Sequence, residues 1–191
     1  MRAARRRHPH GAALTPTDIL VWHDYFATVA QVRATLAGLL FVGVTISLNH
    51  MLEGSGYLYR AWAALFLQFE ALLIGLFALI PSQTSNLLGI EFAAAGLGVL
   101  AAIRIFGHYF PEDERSHVLG STGARVVREI LIHAATLLPV LCGISLLMGL
   151  RGALYWLIPA EIISLYLSFG LAWVFAIEIP RRRELEKRKS E

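Results

Sequence analysis

The chain has 191 residues, 56% of them hydrophobic and 16% charged, whereas a soluble domain carries roughly 45–50% apolar and about 25% charged residues. Both departures exclude an ordinary water-soluble domain and make lipid the expected solvent for most of the polypeptide. The net charge of +3 belongs to the ends, with Arg2, Arg5, Arg6 and Arg7 at the start and Arg181, Arg182, Arg183, Lys187, Arg188 and Lys189 at the finish.

Such tails suit anionic lipid head groups, at about 1 kcal/mol per residue near the surface. They lack the interleaved aromatics of a nucleic-acid patch, so no nucleic-acid partner is expected. The single cysteine, Cys142, cannot form an intramolecular disulfide, and no Cys/His cluster has the spacing of a metal site. No cofactor is expected. Nor is a cleavable signal peptide, because the basic start leads into "AALTPTDIL" rather than an unbroken apolar region.

In chain order, residues 1–15 form a basic tail, 16–178 a helical membrane domain and 179–191 a second basic tail. "TPTD" at 15–18 has the pattern of a capping box, with Thr15 as cap, Pro16 at the first helical position and Asp18 at the third. A helix is therefore expected from about residue 16. A bilayer core of about 30 Å takes roughly 20 helical residues. Five apolar runs approach that length, at about 25–48, 58–80, 87–107, 126–150 and 154–178. All should be helices, since a backbone in hydrocarbon must satisfy its own hydrogen bonds. "PSQTSN" at 81–86 ends the second and starts the third, "HYFPEDERSHVLGSTG" at 108–123 is a polar loop, and "GLRGA" at 149–153 is a tight turn. The fold class is thus all-α, a transmembrane helical bundle of five spans, with four as the alternative.

With five spans the tails lie on opposite sides. One side carries five Lys and Arg, the other eleven. The richer side is expected to be cytoplasmic, which puts the C-terminus inside and the protein in a bacterial cytoplasmic membrane.

Arg33 stands near the start of an apolar run. Its expected place is the interface, with hydrocarbon beginning near Ala34 and the long side chain snorkelling to water. "DILVWHDYFATVAQV" would then be an amphipathic interfacial half-helix. The alternative puts Arg33 inside, paired with a glutamate of another helix. Glu70, deep in "WAALFLQFEALLIGLFALI", is too short to snorkel and must be protonated, paired or beside water. Glu161, Ser164 and Ser168 fall at i, i+3 and i+7 on one helical face, which either lines water or holds helices together. Arg125, Glu129 and His133, four apart, read as a charged start to the fourth helix, and Glu91 and Arg104 as interface residues. Glu70, Glu161, Arg33, His133, Ser164 and Ser168 are accordingly the candidates for an ion or proton path. Ala30, Ala34 and Gly38, and likewise Ala94 and Gly98, have the small-residue spacing that lets helix backbones approach. That spacing makes the first and third helices candidates for the bundle centre or for contact with another copy. No nucleophile elbow, HExxH or Walker loop is present, so no enzymatic activity is expected. Two functions remain: a bundle acting by self-association or with a membrane partner, and a small channel or transporter.

Residues 22–49, "WHDYFATVAQVRATLAGLLFVGVTISLN", resemble the opening helix of a group of small uncharacterised bacterial membrane proteins. These share a Trp-His-Asp-aromatic-Phe opening and an "LxGLxFVxxSxNL"-like stretch. "RAWAAL" at 60–65, "IPSQ" at 80–83 and "LGIE" at 88–91 are similar to the later segments of that group. Some such sequences are labelled modulators of a membrane-anchored AAA protease. The resemblance implies a helical membrane protein and no catalytic residues. It departs at Gln31 and Arg33, where small residues are the pattern, which bears on how tightly the first helix packs.

Overall fold

A computed structural model describes residues 16–53, 55–109 and 122–173. Thr15, most of the 108–123 loop, the end of the fifth run and both basic tails lie outside them. The described chain is helical: α1 (Pro16–Glu53), α2 (Ser55–Ala78), α3 (Ser85–His108), α4 (Thr122–Leu147), a short 3₁₀ turn (Ala153–Trp156) and α5 (Leu157–Trp173). Five stretches are long and apolar enough to cross a membrane: Val21–Ile46, Tyr59–Ala78, Ser85–His108, Gly123–Leu147 and Ala153–Trp173. They match the five runs read from the sequence, and α1 starts at Pro16 as expected. Large apolar side chains such as Leu39, Phe41, Ile46, Ile130 and Phe169 face outward along these helices, as lipid requires and water would penalise.

The turns follow local chemistry. After α2 the chain reverses through Pro81 and Ser82, the latter with φ 60°. Thr84 then caps α3, its hydroxyl accepting from the Leu87 N–H at 3.3 Å. Between α4 and α5, Gly149 and Gly152 take φ of 65° and 77°, left-handed values that favour glycine.

The helices run up and down. One apolar cluster near these turns joins Phe26 of α1, Ile74 of α2, Leu88 and Phe92 of α3, Cys142 and Leu146 of α4, and Leu154 and Leu157. Trp22 packs edge-on against Tyr155 there, at 5.0 Å between ring centres. At the opposite end, Ala63 and Leu67 meet Val99, Ile103, Ile132 and Ala135. We call this second end the basic end, since Arg60, Arg104, Arg125 and Arg128 stand near it.

The centre of the bundle is not where small-residue spacing pointed. In the most apolar stretch of α1 only 17% of residues are buried, against 56% for α2 and 50% for α4. Ala30 does pack inward, against Gly75. Ala34, Gly38, Ala94 and Gly98 face outward, and a Cβ on Gly38 or Gly98 would meet nothing within 4 Å. The close approach is made instead by α3 and α4. A Cβ on Gly143 would collide with the Gly89 carbonyl and stand 2.8 Å from the Ala93 nitrogen, and one on Gly96 would be 2.7 Å from the Thr136 carbonyl. Without a hydrophobic effect between helices in lipid, such backbone proximity supplies the van der Waals contact that joins them. Pro139, buried inside α4, removes one N–H from the ladder in this same region.

Gly143→Ala should therefore destabilise the protein by about 1–3 kcal/mol through overpacking against backbone. Gly98→Ala, facing open space, should be neutral or stabilising by up to about 1 kcal/mol. Thermal unfolding in detergent checks the pair; equal effects would refute the assignment of the α3–α4 contact.

Candidate functional site

Arg33 is 1% exposed and does not snorkel. The apolar stretch of α1 begins at Val21 rather than Ala34, so Arg33 stands midway along its span. Its guanidinium turns inward across the bundle. Nε donates to Glu161 Oε2 at 2.8 Å, and Nη2 donates to the same oxygen at 2.5 Å and to the Glu161 carbonyl at 2.8 Å. Nη1 donates to Gln68 Oε1 at 2.6 Å. One arginine thus ties α1 to α2 and α5. The expectation of an interfacial Arg33 is corrected for a definite reason: three acceptors lie within its reach at mid-membrane, so the side chain has no need of water. The half-helix before it is corrected too, because Phe26 is buried in the core rather than lying on the membrane surface.

Glu161, Ser164 and Ser168 form one buried face of α5, as their spacing predicted. Ser168 donates to the Ser164 carbonyl at 2.9 Å, which is a packing role. The Ser164 hydroxyl has no hydrogen-bond partner.

Glu70 is 3% exposed and lies midway along α2. Two residues along a helix is about 200°, so it faces away from Gln68 and the Arg33 contact. Its Oε1 points to the α3–α4 seam, where a Cβ on Gly96 would stand 3.4 Å from it. That oxygen has no hydrogen-bond partner, and neither has Gln68 Nε2. Mid-span positions of three helices thus hold a polar layer: the Arg33–Glu161 pair, and beside it orphan atoms on Glu70, Gln68 and Ser164.

A cavity of about 390 Å³ lies between α2, α4 and α5. It runs from Tyr59 and Arg128 near the basic end to Leu67, Ile132 and Leu167. One more turn along those same faces leads to Glu70, Thr136 and Ser164. Toward the other end, the cluster around Phe26, Phe92 and Leu157 is packed and apolar.

His133 stands apart from this layer. Its Nδ1–H donates to the Glu129 carbonyl at 2.6 Å, and its Nε2 accepts from Arg104 Nε at 3.0 Å and Nη2 at 2.6 Å. It lines a groove between α3 and α4 with Arg125 and Glu129. The ion pair of Glu129 is with Arg128, at 3.8 Å, rather than with Arg125. Glu91 accepts from Gln83 Nε2 beside the α2–α3 turn.

Sequence reasoning passed over Gln68, Thr136 and the glycines of the α3–α4 seam. Gln68 had a signal, an amide in the apolar run "FLQFE". Among the described residues no group of three metal-ligating side chains comes together. No family model, curated protein or solved structure matches the chain.

Removing one member of the buried pair leaves the other charge uncompensated, at a cost of about 3–5 kcal/mol. Arg33→Met should lower stability by that amount in a detergent unfolding titration. Arg33→Met with Glu161→Met should recover much of the loss, and a double variant no better than the single would show the two residues to be uncoupled.

Proposed function

We propose that this multi-pass helical membrane protein handles protons or small monovalent cations at Glu70. The observation that carries the reading is a carboxyl oxygen buried at mid-membrane with no hydrogen-bond partner, one helical turn beyond a cavity that starts at the basic end. A carboxyl group left unsatisfied in hydrocarbon costs stability and gives no packing in return, which is why intramembrane acids default to function. Glu161 is spent on Arg33 and serves as the fixed counter-charge. Leu67, Ile132 and Leu167 close the way between cavity and carboxyl, so exchange requires those side chains to move. The apolar cluster on the far side acts as the seal. On this reading the basic end faces the cytoplasm of a bacterium, in keeping with the excess of Lys and Arg there. His133, bound to Arg104, takes no part in the path.

In proteoliposomes with an imposed proton or sodium gradient, the wild type should show flux. Glu70→Gln should reduce it by at least about tenfold, the equivalent of ~1.4 kcal/mol, with an unchanged unfolding curve. A wild type without flux under either gradient removes the reading.

A second reading, association, draws on a different observation. Gly38 and Gly98 offer small, empty surfaces outward on α1 and α3, where close approach by another helix is sterically free. If the protein acts as a homo-oligomer or with a membrane partner, Gly38→Leu or Gly98→Leu should weaken crosslinking in native membranes; crosslinks unchanged by both would exclude these faces.

A further inference from the structure

The groove between the end of α3 and the start of α4 encloses about 1300 Å³. Three guanidinium groups line it, from Arg104, Arg125 and Arg128, against the single carboxylate of Glu129. Two of those arginines have donors to offer. Arg128 Nε is buried without a hydrogen-bond partner, and its Nη2 reaches Glu129 only at 3.8 Å. Arg104 directs both Nε and Nη2 at one lone pair of His133, so its guanidinium holds more N–H groups than that imidazole can use. The arginines sit at a definite depth. Arg104 is one turn, about 6 Å, inside the end of α3, and Arg125 and Arg128 lie in the first two turns of α4. That is the level of lipid head groups when these helices cross a bilayer. Below them the lining turns apolar: Val126, Ile130 and Leu137 share one face of α4 and are exposed. They continue the groove toward mid-membrane. A site with cations at the head-group level and an exposed aliphatic track beneath fits one kind of ligand.

We propose that this groove binds an anionic phospholipid, with its phosphate among Arg104, Arg125 and Arg128 and one acyl chain along Val126, Ile130 and Leu137. His133 acts as a positioning residue. Its Nδ1–H anchors the ring to the Glu129 carbonyl, and its Nε2 holds Arg104 toward the groove. Basic pockets between membrane helices at the cytoplasmic level recognise lipid head groups by this combination of charge and apolar track. The site is independent of Glu70 and of any flux.

The test titrates the full chain in detergent with phosphatidylglycerol or phosphatidylcholine and counts bound lipid by native mass spectrometry. Phosphatidylglycerol should bind more tightly. Arg125→Gln with Arg128→Gln should weaken it by about 30-fold, the sum of two interfacial charges, toward the phosphatidylcholine value. Ile130→Trp, which fills the track and leaves every charge in place, should also weaken it, and serves if the double variant fails to fold. Arg181→Gln, Arg182→Gln and Arg183→Gln together should change little. Equal binding of the two lipids, or a loss with the tail variant as large as with the groove variant, overturns the proposal. So does displacement of phosphatidylglycerol by inorganic phosphate at similar concentration, which would make the site one for soluble phosphate.

Discussion

The bond between Arg33 and Glu161 is the constraint on which the arrangement of helices depends. An arginine alone at the centre of a bilayer costs about 2.5–3.5 kcal/mol on insertion scales and more in isolation. Here the guanidinium is enclosed by a carboxylate, a carbonyl and an amide oxygen. The helix that carries it, α1, is the least covered of the bundle. Apolar contact with α2 holds one of its faces, and Phe26 with Leu157 and Leu40 with Leu171 bring it against α5 at either end. The charge pair sharpens the register between them, because a shift of one residue along α1 would swing the guanidinium by about 100° away from its acceptors. Buried ion pairs are weak sources of net stability and better known for fixing one alignment over others.

Beside that satisfied pair stands an unsatisfied acid, and the contrast carries the functional reading. Both carboxyl groups lie at the same depth and within the same bundle. Glu161 has its charge matched by the guanidinium, which donates twice to its Oε2. Glu70 faces the seam where α3 and α4 touch through glycine, its Oε1 3.4 Å from where a Cβ on Gly96 would stand. No cationic side chain reaches Glu70 among the hydrogen bonds of the described residues.

The architecture was legible because lipid imposes strong rules on sequence. Run lengths gave five spans, Pro16 marked the start of α1, and the glycines of "GLRGA" marked a turn that positive φ values require. The Glu161–Ser164–Ser168 face was legible from periodicity alone. Partnerships between helices were not. The choice between an interfacial and a buried Arg33 turns on whether an acceptor 128 residues away arrives at the same depth, and one-dimensional spacing carries no such distance. The small-residue stripes misled for a related reason. Spacing by four identifies a smooth face but not the direction it points, and the contact fell to Gly89, Gly96 and Gly143 instead. His133 and Arg104 likewise became partners through the docking of α3 on α4, which neither local pattern announces.

The separation of Arg33 from Glu161 also bears on how the protein is made. A ribosome adding about 5–20 residues per second delivers the arginine roughly 6–26 s before the glutamate that neutralises it, 128 residues later. Throughout that interval the guanidinium of α1 lacks the carboxylate and carbonyl of Glu161 that receive it in the folded bundle. A side chain as long as arginine can meanwhile snorkel toward the head groups. The tie between α1 and α5 therefore forms only after α5 has been made.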